Sequence, residues 1–363
     1  MPMAERVLKP EEAEPREACL EASDNRPLID IRSARERLAG VPEGSIALDP
    51  EDLLSASAGS RNGSIQSGFI LCAEGARSLE LVRRLREQGR SGFSSVAGGF
   101  FAWRDAGLPV SNTTGLSDRD AQRYARHLVM PQVGPQGQKM LLESRILLVG
   151  LGGLNSPAAL YLAAAGVGCI GLADHDTVER SNLQRQIVHG EASLGDNKAR
   201  SANRRITDLN PGIETVIVDG KVGSDNAREI VSAWDIVIDG TDNFEARYAL
   251  NDACARLSIP LVYGAVMRFQ GQVSVFHGQP CFRCLLPEAP APQDVPGCSE
   301  AGVLGVLPGI VGTLQASEAL KLVLNIGRPL TGRLLMIDAL NMEFREARIA
   351  PNPDCPACAS VSE

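Results

Sequence analysis

The stretch from residue 146 to residue 173 restricts the fold most strongly, because it contains no charged side chain. Its length would be enough to cross a lipid bilayer as a helix. However, Gly150, Gly152 and Gly153 interrupt it near the middle, and Asn155 and a proline follow closely. Clusters of this kind mark turns rather than continuous helices. We therefore predict a buried strand, a glycine-rich turn, a buried helix and a second buried strand, and no membrane span.

Charge and length narrow the classes of function. The chain has 363 residues, with 36 Lys and Arg against 44 Asp and Glu, which gives a formal net charge of −8. A protein that binds a phosphate backbone normally presents a basic face, so we do not expect nucleic acid as a partner. The length suggests two domains of ordinary size.

Cysteine usage favours a reducing compartment. The chain has 9 cysteines, an odd number, and its first residues carry charges of both signs without an apolar core. A secretory signal and a disulfide framework are therefore not expected. We predict a cytoplasmic protein whose thiols bind metal or take part in chemistry.

The sequence pattern divides the chain into four segments. Residues 1–25 are charged and contain prolines, which predicts a flexible leader. Residues 26–110 alternate short apolar runs with amphipathic stretches, as in a small α/β domain with a parallel sheet. A polar linker covers residues 111–117. Residues 118–363 return to buried strands and helices, which predicts a larger, doubly wound α/β domain.

The glycine turn predicts a nucleotide site. Gly150, Gly152 and Gly153 follow one buried strand and precede a helix, so backbone amides can approach phosphate groups at a helix N-terminus. Asp174 ends the next predicted strand, where an acidic residue meets the ribose hydroxyls of a bound nucleotide. This pattern alone does not choose between NAD and ATP.

A cluster of polar and basic residues shortly after Asp174 favours ATP. Cations in this position would neutralise the charge that develops as pyrophosphate leaves, whereas a hydride-transfer site has little use for them. Further on, Asp239 and Asp242 lie at the end of a predicted strand, where a carboxylate can hold Mg²⁺ against the phosphates. The candidate nucleotide-binding residues are Asn182, Arg185, Gln186, Lys198, Asp242 and Asn243.

Two C-x-x-C pairs predict a metal site. They are Cys281 with Cys284, and Cys355 with Cys358. Zinc binds four thiolates in a tetrahedral arrangement, and each pair supplies two of them. Four sulfur ligands leave no open coordination position, so the role of the zinc would be structural. Two local redox pairs are the alternative.

Together these motifs resemble the MoeB/ThiF adenylyltransferases, which are related to the ubiquitin-activating enzymes. The matching strings in residues 118–363 are RYARHL, VGLGGL, AAAGVG, DTVERSNLQRQ, GDNKARS, GTDN and the two C-x-x-C pairs. The resemblance implies a Rossmann-like fold that uses ATP and Mg²⁺. The substrate would be the C-terminal Gly-Gly carboxylate of a ubiquitin-like sulfur carrier protein of the MoaD or ThiS type. That carboxylate attacks the α-phosphate, which gives an acyl-adenylate and pyrophosphate.

The resemblance also gives individual residues a role. Asp174 would hold the ribose, and Asp242 would hold Mg²⁺. Arg126, in RYARHL, matches an arginine that is inserted into the partner subunit's site, which implies a homodimer. Cys298, in GCSEAGV, matches a cysteine that some relatives use for a covalent link to the carrier. The residues implied in phosphate binding are Asn182, Arg185 and Lys198.

Cys72 gives the first α/β segment a chemistry of its own. It follows a predicted strand and opens a helix whose N-terminus, together with Arg77, favours a thiolate. With LIDIR before it and GGFFAW after it, residues 26–110 resemble a rhodanese sulfurtransferase domain, which carries sulfur as a cysteine persulfide. In the middle of this segment, the string GVPEGSIAL replaces a motif that rhodanese domains usually contain. The sulfur donor therefore stays open between thiosulfate and a cysteine desulfurase.

The two resemblances imply adenylation of a carrier, followed by attack of a Cys72 persulfide and formation of a thiocarboxylate. The linker of about seven residues extends to only about 25 Å, so either the small domain moves or Cys72 serves the partner subunit. Two alternatives stay open: adenylation with an inactive or regulatory rhodanese domain, and an NAD-dependent oxidoreductase. The pathway served, whether molybdopterin, thiamin, tRNA thiolation or a secondary metabolite, depends on the carrier.

Overall fold

The chain forms two compact units. The computed structural model describes residues 8–23, 25–37, 40–55, 65–111, 114–290 and 302–359. The units, divided by their internal contacts, are Met1–Gln136 and Gly137–Glu363. The division lies after the predicted linker, so the residues between 118 and 136 group with the first unit.

The first unit contains a five-stranded sheet in which every pairing is parallel. Its described strands are β1 (Glu12–Ala13), β2 (Leu28–Asp30), β3 (Val41–Pro42), β4 (Ile46–Ala47), β5 (Ser67–Leu71), β6 (Gly92–Val96) and β7 (Val110–Ser111). Its described helices are α1 (Pro15–Glu21), α2 (Ala34–Arg37), α3 (Pro50–Ser55), α4 (Ala76–Glu87), α5 (Gly99–Asp105), α6 (Asp118–Arg123) and α7 (Ala125–Leu128). The strand order is β1-β6-β5-β2-β4, and β3 pairs antiparallel with β7.

Part of the predicted flexible leader is regular structure. β1 adds to the edge of the sheet beside β6, and α1 follows it directly. Ala13 and Ala18 are buried in the same apolar cluster as Phe69 and Trp103. These small apolar side chains stand among charged neighbours in the sequence, which is why composition alone indicated a solvated segment.

The second unit is built on an eight-stranded sheet in the order β10-β9-β8-β11-β12-β13-β14-β15. Its strands are β8 (Arg145–Val149), β9 (Cys169–Ala173), β10 (Glu214–Val218), β11 (Ile236–Asp239), β12 (Leu261–Met267), β13 (Gln270–Phe276), β14 (Arg333–Asp338) and β15 (Glu343–Arg348). Its described helices are α8 (Gly134–Glu143), which begins just before the division, α9 (Asn155–Ala165), α10 (Lys198–Leu209), α11 (Ala227–Val231), α12 (Phe244–Leu257), α13 (Phe282–Leu285) and α14 (Val306–Leu324). The pairings from β10 to β12 are parallel, and those from β12 to β15 are antiparallel.

The uncharged stretch folds as its pattern predicts, into β8, the glycine turn, α9 and β9. All five residues of β9 are buried, and α9 is buried over most of its length. Gly166 ends α9 in the left-handed conformation, with φ of 86°. None of the described helices is long and apolar enough to cross a membrane. The predicted α/β architecture is therefore confirmed for this unit.

Strand register determines where the loops of the second unit leave the sheet. Val149 of β8 pairs with Ala173 of β9 and with Asp239 of β11, so three neighbouring parallel strands end at one level. The loops after these strands carry the glycine turn, Asp174 and Asp242. In open α/β sheets, ligands bind outside the carboxyl ends of the strands.

Candidate active site

A cavity of about 760 Å³ lies at this edge of the second unit. Its volume is in the usual range of small-molecule binding sites. The predicted site residues that line it are Gly150, Gly152, Gly153, Asp174, Arg185, Gln186, Lys198, Asp242 and Asn243. Asn182 is not among the lining residues.

The glycine turn lies tightly against its neighbours on one side and is open on the other. Gly150 has φ of 78°, and a Cβ there would lie 2.9 Å from the carbonyl oxygen of Gly240. At Gly153, a Cβ would meet the Cβ of Pro308 at 2.9 Å. At Gly152, by contrast, a Cβ would meet only Nε2 of Gln186, at 3.7 Å. The turn thus keeps a concave space beside Gly152, as a phosphate-binding turn requires.

Asp174 is bound to the glycine turn from the end of β9. Its Oδ2 accepts a hydrogen bond of 2.6 Å from the Leu151 amide, and its Oδ1 accepts one of 2.8 Å from the Asp176 amide. Each carboxylate oxygen keeps a second lone pair that can accept from a ligand hydroxyl. The carboxylate therefore shapes the turn and lines the cavity at the same time.

Lys198 brings a buried positive charge to the cavity. It is the first residue of α10, and its Nζ lies 3.0 Å from Oδ2 of Asp176. Arg185 is half-buried and donates to the Ser181 carbonyl oxygen at 3.3 Å. Gln186 is buried, and its Oε1 has no hydrogen-bond partner within the described residues. Two cations thus line one space, which suits an anionic ligand.

Asp239 and Asp242 have different environments. Asp239 is fully buried and forms a 2.9 Å ion pair with Arg247, whose guanidinium also donates to the Thr241 carbonyl oxygen at 2.8 Å. Asp242 is exposed to the cavity. Asn243 also lines the cavity, and its side chain caps α12 by accepting from the Ala246 amide at 2.9 Å. Of these two carboxylates, that of Asp242 is therefore the one open to a metal ion.

Of the remaining predicted residues, Asn182 does not line the cavity. Asn182 closes a capping box with Glu179, in which the Glu179 amide donates to Asn182 at 3.3 Å. Arg126 is exposed on α7, in the first unit. Cys298 lies outside the described residues.

Sequence reasoning missed two buried side chains that shape the site. Arg247 holds the strand end before Asp242, and His189 contacts the glycine turn through a 3.0 Å hydrogen bond between Nε2 and the Leu151 carbonyl oxygen. A buried arginine and a buried histidine are polar exceptions in a core, but neither stands in a recognisable motif. Leu151 lies 38 residues before His189, and the pairing of Arg247 with Asp239 depends on how α12 packs against β11, so the residue types alone did not reveal these contacts.

The four C-x-x-C cysteines come together in the second unit. Their sulfur atoms all lie within 4.8 Å of one another, with 3.6 Å between Cys281 and Cys355 and 3.5 Å between Cys284 and Cys358. A tetrahedral zinc site with Zn–S distances near 2.3 Å has sulfur atoms about 3.8 Å apart. Burial raises the pKa of the Cys281 thiol. The spacing and the donor type fit a zinc ion, which would favour the thiolate form.

Cys72 occupies a turn between β5 and α4 in the first unit. Its sulfur is buried and accepts from the amides of Gly75 and Ser78, at 3.1 and 3.3 Å, and from the Ser78 hydroxyl at 3.3 Å. Arg77 forms an ion pair with Glu36, and this hydrogen bond raises the pKa of Arg77. Amide donors directed at a sulfur stabilise its anionic form.

Gly75 and Gly99 allow close backbone contacts around the turn that contains Cys72. A Cβ at Gly99 would lie 2.3 Å from the Cys72 carbonyl oxygen, and a Cβ at Gly75 would lie 2.8 Å from the Gly98 nitrogen. Both Gly75 and Gly99 have positive φ, which side chains other than glycine rarely adopt. The arrangement of amide donors around the Cys72 sulfur therefore depends on glycine at these positions.

Comparison with known proteins finds relatives over the second unit and beyond. A SAMP-activating enzyme E1 of Haloferax volcanii is 50% identical over 247 residues, covering 68% of this chain and 92% of that protein. A sulfur carrier protein adenylyltransferase of Thermus thermophilus is 47% identical over 246 residues, covering 66% of this chain and 91% of that protein. The adenylyltransferase and sulfurtransferase MOCS3 of Mus musculus is 44% identical over 253 residues, covering 69% of this chain and 55% of that protein.

The fold and the family agree with these relatives. The crystal structure of MccB from E. coli matches with a TM-score of 0.60 at 17% identity, covering 72% of this chain and 81% of that one, which shows a shared fold. The predicted membership of the MoeB/ThiF-type adenylyltransferases is confirmed by the relatives. A model described as the ThiF family matches residues 124–357. The chain belongs to the ThiF family.

Proposed function

We propose that this protein uses ATP to adenylate the C-terminal Gly-Gly carboxylate of a ubiquitin-like sulfur carrier and then replaces one carboxylate oxygen with sulfur. The observation that carries the proposal is one cavity in a ThiF-family chain that combines a glycine turn, Asp174, two cations and Asp242. The names of the curated relatives, an adenylyltransferase and an adenylyltransferase–sulfurtransferase, support the same chemistry.

In this proposal, ATP lies along the carboxyl edge of the parallel strands. Asp174 accepts hydrogen bonds from the ribose hydroxyls, and the turn at Gly152 provides the space for a phosphate. Lys198 and Arg185 supply positive charge to the phosphate chain. Gln186 and Asn243 line the same space. Asp242 is an oxygen ligand of the type that Mg²⁺ prefers, and Mg²⁺ would neutralise charge on the phosphates.

The first step forms one bond and breaks another. A carboxylate oxygen of the carrier attacks the α-phosphorus of ATP, and the bond from that phosphorus to pyrophosphate breaks. The products are the acyl-adenylate and pyrophosphate, on which the negative charge collects. Lys198 is buried beside the turn, and a cation in a site of low dielectric stabilises such charge more strongly than one in water.

The first unit supports the second step. A parallel α/β sheet with a cysteine at a strand end, surrounded by amide donors, supports the assignment as a rhodanese-like domain. The terminal sulfur of a Cys72 persulfide attacks the acyl carbon, and AMP leaves. A second thiol then cleaves the acyl disulfide, leaving a thiocarboxylate and a new disulfide on Cys72. Cys298, outside the described residues, is a candidate for that thiol, and Arg77 supplies positive charge near Cys72.

The proposal includes a structural zinc ion and a partner subunit. The cluster of Cys281, Cys284, Cys355 and Cys358 would hold the zinc ion, supported by the sulfur distances. The homodimer, with Arg126 completing the partner's site, rests on the family resemblance. The sulfur would come from thiosulfate or from a cysteine desulfurase. Adenylation without sulfur transfer is the second candidate, since the chain and MOCS3 align over only part of that relative.

Pyrophosphate exchange into ATP tests the adenylation step. With a Gly-Gly carrier present, Asp242→Ala is expected to lower the exchange rate by about a hundredfold or more, because the Mg²⁺ ligand is lost. Asp208→Ala serves as the control, since Asp208 is exposed at the far end of α10 and does not line the cavity. Normal exchange by the Asp242 variant would remove its proposed role. An absence of exchange by the wild type with every carrier tested would overturn the proposed activity.

A further inference from the structure

His189 is a buried polar side chain that the reaction described above does not use. It lies between the two short 3₁₀ helices Arg180–Asn182 and Glu191–Ser193 and is only 8% exposed. Its Nε2 lies 3.0 Å from the Leu151 carbonyl oxygen, and its Nδ1 lies 2.9 Å from Oγ of Ser201. The ring thus bridges the glycine turn and helix α10.

The protonation of the ring follows from its partners. A carbonyl oxygen can only accept, so Nε2 donates to Leu151. In a neutral ring, Nδ1 then accepts from the Ser201 hydroxyl. Burial lowers the pKa of His189, which favours this neutral form at pH 7. Both ring nitrogens are therefore satisfied without a charge.

The contact with Leu151 determines the direction of the next amide. In a planar trans peptide, the carbonyl and the following N–H point in opposite directions. With the Leu151 carbonyl held by His189, the Gly152 N–H points away from the ring. Within the described part of the chain, that amide donates to no other group. Gly152 lines the cavity, so this donor is available to a ligand there.

The contact with Ser201 connects the same ring to Lys198. Ser201 lies one helical turn after Lys198 on α10, and both side chains are buried. Asp174 accepts from the Leu151 amide at 2.6 Å, and its backbone carbonyl accepts at 3.0 Å from the side chain of Asn197, the residue that caps α10. The glycine turn and the start of α10 are thus fixed to each other by Asp174 and by His189.

We propose that His189 is a positioning residue for the nucleotide phosphates, because it orients the Gly152 amide and ties it to the helix that carries Lys198. This inference rests on the proposed ATP site. It concerns the phosphate chain and not the ribose or the base. The two partners of His189 are the Leu151 carbonyl, which adjoins the Gly152 amide, and Ser201, which lies one turn after Lys198. Loss of the imidazole ring should therefore weaken the binding of a ligand more, the more phosphate groups the ligand carries.

Binding of two ligands to the full chain tests this inference. His189→Leu removes the donor, and we expect at least a tenfold rise in the Kd of a non-hydrolysable ATP analogue. Adenosine, which has no phosphates, should keep its Kd within twofold. His189→Gln retains an N–H donor and should bring the analogue back to within threefold of the wild type. His277→Leu is the matched control, because His277 is exposed.

Equal losses for the analogue and adenosine would overturn the inference, as would unchanged binding of both. If His189→Leu does not fold, as judged by circular dichroism, Ser201→Ala replaces it, with an expected threefold loss for the analogue alone. Equal losses in that variant would again overturn the inference. A wild-type protein that binds adenosine and ATP equally weakly would contradict the proposed ATP site itself, which is a distinct result.

Discussion

At the scale of single residues, burial separates two aspartates that the sequence presents as equivalents. Asp239 is fully buried and paired with Arg247, whereas Asp242 is exposed to the cavity. A buried carboxylate paired with a guanidinium has its charge already satisfied, so it supports the loop rather than binding a metal ion. Asp239 also accepts hydrogen bonds from the amide and the hydroxyl of Thr241, at 2.8 and 2.6 Å.

Asp239→Asn should destabilise the second unit by about 3–5 kcal/mol, because the Arg247 charge would remain buried without its partner. Urea unfolding measures this loss. Glu191→Gln breaks the exposed ion pair with Arg180 and should cost less than about 1 kcal/mol. A comparable small cost for both variants would show that the buried pair is not the support inferred from its contacts.

At the scale of elements, our inference makes the positions of the glycine turn and of the start of α10 depend on a neutral His189. The positive charge of Lys198 lowers the pKa of His189, and the negative charge of Asp174 raises it. Burial dominates and lowers the pKa in the folded chain. In the unfolded chain, His189 regains the ordinary histidine pKa of about 6.5 and so binds a proton at a higher pH than in the folded chain. The free energy of unfolding should therefore fall as the pH decreases below that value.

The pH dependence of unfolding tests this expectation. Between pH 7 and pH 5, the wild type should lose more unfolding free energy than His189→Gln, which cannot titrate. Above pH 7.5, the difference in unfolding free energy between the two proteins should no longer change with pH. Parallel stability curves across the whole range would show that His189 has the same pKa in the folded and unfolded states.

The cluster of four C-x-x-C cysteines should behave as one unit of stability. If the cluster holds zinc as proposed, Cys281→Ser should release it and cost about 3 kcal/mol or more, which is roughly 6–12 °C in the Tm of a domain of this size. Cys19→Ser, in the first unit, is the control and should retain the metal. Metal analysis and a thermal melt of the two variants measure this. Equal zinc content and an equal Tm for the two variants would exclude the site.

Local patterns predicted the elements best where one chain segment contains the whole signal. The uncharged stretch encodes β8, the glycine turn, α9 and β9 by itself, and each C-x-x-C pair supplies two neighbouring ligands. The ion pair between Arg247 and Asp239 forms only when α12 folds back onto the end of β11, and the contact of His189 with Leu151 joins two loops 38 residues apart. Asn182 illustrates the limit, since its side chain takes part in a capping box that the resemblance did not suggest.

At the scale of the whole molecule, the proposed function assigns complementary chemistry to two α/β units. In each unit, the candidate functional groups follow the carboxyl ends of parallel strands: Cys72 after β5, and the glycine turn and Asp174 after β8 and β9. Backbone amides and a helix N-terminus lie beside both places, an arrangement that suits negative charge. One unit would make an electrophile, and the other would deliver a nucleophile.

The central claim is that these two chemistries act in sequence on one carrier. The direct measurement is the intact mass of a Gly-Gly-tailed carrier after incubation with the protein, Mg-ATP and thiosulfate, with Cys72→Ala as the control. We predict a mass gain equal to the replacement of one oxygen by sulfur in the wild type, and only the AMP adduct with Cys72→Ala. The same sulfur exchange in both proteins, or no change in either, would contradict the account.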